Sequence, residues 1–127
     1  DPSARIGPNC YFGQGVTVGP NTVLLRECVI GSHAHLCYGI QATRANFGAF
    51  CTIGPGVTFA GYVRVGDRSY VGAGAVVKNK VTIGKDCVIG CGAVVVENVP
   101  DGATVVGNPA RPQERPRGPF PEALRPR

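Results

Sequence analysis

The sequence predicts an all-β chain of short strands wound into stacked three-sided coils, about five to six of them at about 18 residues each. Three observations predict it. Bulky apolar residues recur at every sixth position, Gly commonly follows each of them, and a small or β-branched residue stands four places further on. Composition agrees. The 19 Gly and 11 Pro in 127 residues work against a helical bundle, and 43% hydrophobic against 17% charged residues leave too much apolar surface for a disordered chain.

The apolar beat runs from Ile6 through Phe12, Val18, Leu24 and Ile30 to Leu36. It breaks, then resumes at Phe47 and continues to Val95. A period of six suits neither a helix nor a simple alternating strand, but it suits strands that bend at regular corners. The apolar residue points inward, the following Gly relaxes the backbone near the turn, and the small residue fills a tight interior slot. Three hexapeptides close one coil, and like stacks on like. Each inward side chain is then worth about 1.5–3 kcal/mol, and a lone coil cannot bury its face.

The small slot holds Val16, Thr22, Ala34, Val57, Ser69 and Ala75, and also Cys10, Cys28, Cys51 and Cys87. Cysteine among such residues is a small hydrophobe, so neither disulfides nor a metal centre is expected, and a reducing cytoplasmic compartment is the simpler assumption. Cys37 and Cys91 fall in other slots. The net charge of +5 is concentrated at one end: from Arg111 onward five Arg face two Glu. No basic stripe interleaved with aromatics argues for nucleic acid. No apolar run has the length of a membrane span, and no signal peptide opens the chain. Residues 1–110 read as the coiled domain and 111–127 as a Pro/Arg-rich tail. The opening "DPSARIGPN" reads as the middle of a longer frame.

The [LIV]-G-x-x-[STAVC]-x pattern over residues 5 to 111 resembles the hexapeptide-repeat proteins, whose fold is a left-handed parallel β-helix. "VTFAGYVRVGDRSYVGAGAVV" and "GAVVVENVPDGATVVGNPAR" are similar to the sialic-acid O-acetyltransferase and bacterial amino-sugar N-acetyltransferase group. The resemblance implies a homotrimer with acetyl-CoA in the groove between neighbouring prisms, a sugar acceptor, and no metal. It implies that Gly74, Ala75, Gly92, Ala93 and the exit Gly107 to Arg111, with Asn108, Pro109 and Arg111, line that groove. Lys78, Lys80, Lys85 and Arg111 are near enough in sequence to meet its phosphates. The competing reading is that the small residues pack corners and the lysines are solvated.

The same resemblance places an oxyanion-binding glycine at Gly61 of "FAGYVRVG". Counting back, the family's catalytic His falls on Thr43 and its acidic neighbour on Arg44; a one-residue gap between Ala42 and Phe47 moves the base position to Arg44. The family's second His falls on Thr52. No histidine stands at any of these. His33 and His35 lie one coil earlier, where His35 shares a column with Thr52 and His33 stacks over Phe50. His35 is read either as a substitute base or as an exposed histidine without a role.

An amine held in line can attack a thioester without an enzymic base, whereas a sugar hydroxyl needs one, worth roughly 10²–10⁴-fold. Losing the His therefore favours acetylation of an amine on a nucleotide-linked amino sugar. The alternatives are an O-acetyltransferase using His35 and a non-catalytic trimeric scaffold. The tail either packs on a neighbouring subunit through Phe120 and Leu124 or stays free.

Overall fold

A computed structural model of the chain describes residues 3–113. It is a parallel β-solenoid of six coils. The coils contribute β1 (Arg5–Ile6), β2 (Tyr11–Phe12) and β3 (Thr17–Val18); β4 (Val23–Leu24), β5 (Val29–Ile30) and β6 (His35–Leu36); β7 (Gln41–Ala42), β8 (Asn46–Phe47) and β9 (Thr52–Ile53). They continue with β10 (Thr58–Phe59), β11 (Arg64–Val65) and β12 (Tyr70–Val71); β13 (Val76–Val77), β14 (Thr82–Ile83) and β15 (Val88–Ile89); then β16 (Val94–Val95), β17 (Thr104–Val106) and β18 (Arg111–Pro112). Up to β16 every third strand joins the same sheet, and β17 and β18 extend the third, giving three faces of six, five and seven strands. Face one contains β1, face two β2 and face three β3.

The inward residues build one aliphatic column. Leu24, Ile30, Leu36, Ile53, Val71, Val77, Ile83 and Ile89 are all essentially inaccessible. Cys28, Cys51 and Cys87 are buried in the small slot as unpaired thiols, and Cys10 is partly covered. Burial pushes the Cys28 thiol up and the Cys51 thiol up to about 12. Buried Ser69 accepts from Cys87 N–H at 2.9 Å and donates to Gly84 C=O at 2.6 Å, so no polar cost remains there.

The break in the apolar beat is not a break in the fold. Ala42 takes the inward position of β7, and Ile40 takes the small slot beside it, both buried. Coil three therefore exchanges large and small between two adjacent interior sites and keeps the volume. The rings of Phe47 and Phe59, 4.9 Å apart, fill the space next to Ala42. The repeated Gly has a different reason from the one expected. Gly54 and Gly72 are not in the positive-φ region. A Cβ on Gly72 would instead lie 2.7 Å from the Cys91 nitrogen, and one on Gly54 2.8 Å from the Ala73 nitrogen. Stacking one coil on the next excludes the side chain.

The described residues end in one further edge strand. Arg111–Pro112 forms an antiparallel strand on β17, with Gln113 N–H donating to Thr104 C=O at 2.8 Å. Proline is tolerated because the strand is at the sheet edge. The rest of the expected tail, with Phe120 and Leu124, lies outside the described residues.

Candidate active site

Nearly every corner of the prism holds a residue at positive φ, and these stack along three edges. The edge between faces one and two carries Asn9, Glu27, Arg44, Tyr62 and Lys80, with φ from 48° to 65°. The edge between faces two and three carries Gly15, His33, Phe50, Arg68, Asp86 and Gly102. The edge between faces three and one carries Asn21 and then only glycine: Gly39, Gly56, Gly74 and Gly92. The first two edges prove that ordinary side chains occupy this conformation here, at a cost of order 1 kcal/mol. A Cβ on Gly56, Gly74 or Gly92 would meet nothing within 4 Å. Neither conformation alone nor crowding explains four glycines in a row. Their effect is to keep one edge bare, so that something outside the chain can approach its backbone.

Along the first edge the one-residue deletion opens the hydrogen-bond ladder. Elsewhere the residue after the inward one donates to the next coil: Leu25 N–H to Ala42 C=O at 2.9 Å, Ala60 to Val77 at 3.0 Å, Lys78 to Val95 at 2.9 Å. Thr43 N–H makes no such bond, and β7 pairs β10 only at Gln41 and Thr58. At the corner itself Glu27, Arg44 and Lys80 donate their N–H groups one coil back, to Pro8, Arg26 and Gly61. Tyr62 N–H donates to nothing among the described residues.

Gly61 faces this gap. Its φ of 149° lies in the region that favours glycine, and a Cβ added there would lie 3.7 Å from Thr43 Cγ2. Gly61 is buried, and its N–H has no partner among the described residues. A buried unpaired donor is costly, so it points toward a ligand. Arg44 is fixed from two sides: its Nε lies 3.3 Å from Glu27 Oε2, and its guanidinium carbon is 5.5 Å from the Tyr62 ring centroid. Thr43, Arg44 and Gly61 are thus brought together.

The other expected residues fall elsewhere on the prism. Lys78 is exposed and stands one rung beyond Ala60, on the Gly61 side of face one. Gly74 and Gly92 are exposed across that face, on the bare edge. The exit segment reaches the same end: Val94 N–H donates to Gly107 C=O and Ala110 N–H to Val94 C=O, which sets exposed Asn108 and Pro109 beside Gly92. Ala75 and Ala93 fall where the small slot of the repeat puts them: both side chains are wholly buried, and their carbonyls accept from Thr58 and Val76 N–H. Neither side chain reaches the surface.

His35 is the register partner of Thr52, and the His33 ring stacks on Phe50 at 5.0 Å and 23°. His35 is exposed on face three, away from the edge that holds Thr43 and Gly61. Within one chain it does not join them. Two features were not foreseen. One is the Glu27–Arg44–Tyr62 cluster, whose members are 17 and 18 positions apart and meet only once the coil length is known. The other is an open groove of about 350 Å³ on face two, where Asn46, Arg64 and Thr82 stand beside Gly48, Gly66 and Gly84. It does not include Thr43 or Gly61, so size alone does not locate the chemistry. Among the described residues no group of three or more His, Cys, Asp or Glu is placed to hold a metal, and no helix is long and apolar enough to cross a membrane.

Comparison with known proteins agrees with this fold. The family of bacterial transferase hexapeptides (six repeats) matches residues 44–79 and 63–97. PerB from Caulobacter crescentus, solved with CoA and GDP-perosamine, is 37% identical over 89% of this chain and 55% of its own, with a TM-score of 0.87; the H141A mutant of GDP-perosamine N-acetyltransferase from the same organism matches equally well, over 54% of its own length. WeeI from Acinetobacter baumannii is 34% identical over 87% of this chain and 55% of its own, with a TM-score of 0.83. The acetyltransferase domain of PglB from Neisseria gonorrhoeae, solved with acetyl coenzyme A, is 32% identical over 87% and 58%, with a TM-score of 0.56. No curated protein sequence matches significantly. The chain is a β-solenoid that carries the bacterial transferase hexapeptide repeat over residues 44–97. It spans little more than half the length of these relatives.

Proposed function

We propose that this chain is an acetyl-CoA-dependent acyltransferase that acetylates the amine of an amino sugar, the acceptor being nucleotide-linked. The bare glycine edge is the observation that carries the reading. Pantetheine is long and thin and needs close backbone approach, which Gly39, Gly56, Gly74 and Gly92 permit on this edge alone. Gly74 and Gly92 lie across face one from Gly61 and Lys78, so a groove using both sets takes one edge from each of two copies. A homotrimer supplies three such grooves. The six unpaired cysteines fit a reducing cytoplasm.

In the reaction the neutral amine attacks the thioester carbonyl carbon, forming C–N. The carbonyl oxygen becomes an oxyanion that accepts from Gly61 N–H. The C–S bond then breaks, CoA leaves as thiolate, and the proton of the new ammonium passes to it through solvent. No histidine is needed, because an amine of pKa about 8 is neutral in roughly a tenth of molecules at pH 7. Thr43, small and beside Gly61, leaves room for the acceptor.

The alternative O-acetyltransferase requires His35 of a neighbouring copy to reach Gly61. Calorimetric titration with CoA, followed by an acetyl-transfer assay on an amino sugar and on its hydroxy counterpart, tests both. Absence of CoA binding refutes the enzyme and leaves the scaffold reading. Transfer to the hydroxyl alone supports the His35 route.

A further inference from the structure

We infer that the edge formed by Arg44, Tyr62 and Lys80 is an anion-binding subsite, and that it selects acceptors carrying a carboxylate or phosphate near the reacting amine. This rests on the acyltransferase reading for its role, but its binding chemistry stands apart from it. Two independent observations carry it. The first is the Tyr62 N–H, the one corner donor between Glu27 and Lys80 left without a partner by the shortened coil. The second is Arg44. Glu27 engages only its Nε, so both terminal nitrogens are unpartnered among the described residues. The Tyr62 ring lies against the guanidinium, 5.5 Å from its carbon to the ring centroid.

A planar fork with free terminal nitrogens matches a carboxylate or phosphate in two-point geometry. Lys80 occupies the next position of the same edge, so cationic residues hold the two rungs flanking Tyr62, whose backbones are spaced by about 4.8 Å. An unpaired amide between two cations is an arrangement that binds oxyanions. Tyr62 adjoins Gly61, so an anion held there is adjacent to the proposed acyl carbonyl. Arg44 here is a positioning and specificity residue, not a base.

The test follows the Tyr62 amide by ¹⁵N NMR in the full chain, with 2-amino-2-deoxyglucuronate, its neutral parent glucosamine, and CoA as separate titrants. The inference expects a saturable Tyr62 shift with the amino sugar acid, at least tenfold weaker binding of glucosamine, and at least a tenfold loss with Arg44→Gln. Arg44→Lys, which keeps charge without the fork, recovers part of that loss. Equal response to the neutral sugar, no response to either, or a Tyr62 shift caused by CoA alone overturns it. The CoA outcome would give the anion to the donor. Acetyl transfer is read separately: in active protein, the ratio of kcat/KM for the acid over the neutral amine falls in Arg44→Gln. Activity toward neutral amines with no Tyr62 response would sink the subsite and leave the acyltransferase standing.

Discussion

His35 and Thr52 are register partners on adjacent strands of face three, although 17 positions rather than 18 separate them. The missing residue lies at the corner between them, and the strands re-align after it. The histidine therefore stands one rung from Thr52 in the same column, and away from the edge that holds Gly61. The expected result for His35→Ala is amine acetylation within about threefold of the parent. A base in that position would instead cost roughly 10²–10⁴-fold. Comparison of kcat/KM for the two proteins on one amino sugar decides it.

Gly61→Ala has space for the new methyl group but not the backbone for it, because Thr43 Cγ2 is 3.7 Å away while φ is 149°. Stability should fall by more than about 1 kcal/mol, a drop of roughly 4–8 °C in melting temperature. Reorienting the N–H should lower kcat by about 10²–10³, the usual effect of removing an oxyanion donor. Full activity with lowered stability would assign Gly61 to the fold alone.

Gly92 and Gly102 make a matched pair. Both have positive φ, 70° and 75°, and a Cβ on either meets nothing within 4 Å. Replacing each by Ala should therefore cost the same stability, about 1 kcal/mol. Only Gly92 is on the bare edge, so only Gly92→Ala should weaken CoA, by about tenfold, equivalent to about 1.4 kcal/mol. Equal calorimetric affinities in the two variants would move the donor away from that edge.

The Cys51 thiol gives the fold a pH dependence. Its ordinary value of 9.0 is raised to about 12 by burial. Below pH 9 it is protonated in folded and unfolded chains alike, and the contribution to stability is complete. As pH rises through 9 toward 12 the unfolded thiol ionises while the folded one holds its proton, so stability falls across that window. The denaturation midpoint should drop between pH 8 and pH 11, and Cys51→Ala should flatten the drop, since Ala34 and Ala75 fill the same slot elsewhere. In a labelling experiment at pH 8, exposed Cys91 should react well before Cys28 and Cys51.

Much of this was legible in the sequence because a solenoid converts position directly into space. The beat from Ile6 to Leu36 fixes the faces, and counting coils pairs His33 with Phe50 and His35 with Thr52. Coil three was harder to read. Ile40 and Ala42 exchange sizes, so the apolar pattern fades where the strand continues. The corner residues were illegible for another reason. Positive φ is taken by Glu27, Phe50, Tyr62 and Asp86 as readily as by Gly, so residue type does not announce it. The bare edge stands out only beside the two edges that are not bare. The Arg44–Glu27 contact and the empty Tyr62 N–H needed coordinates, because both depend on where a corner turns rather than on spacing.

The shortened third coil has a wider consequence. Val29 pairs with Asn46 across 17 positions, yet Asn46 pairs with Arg64 across the usual 18. The irregularity is gone within a single strand, and the interior stack beyond it carries no trace of it. Loss of a residue at a vertex is thus quarantined there. A rod built this way can try new chemistry at its ridges, one vertex at a time, while its centre keeps the same repeating lattice.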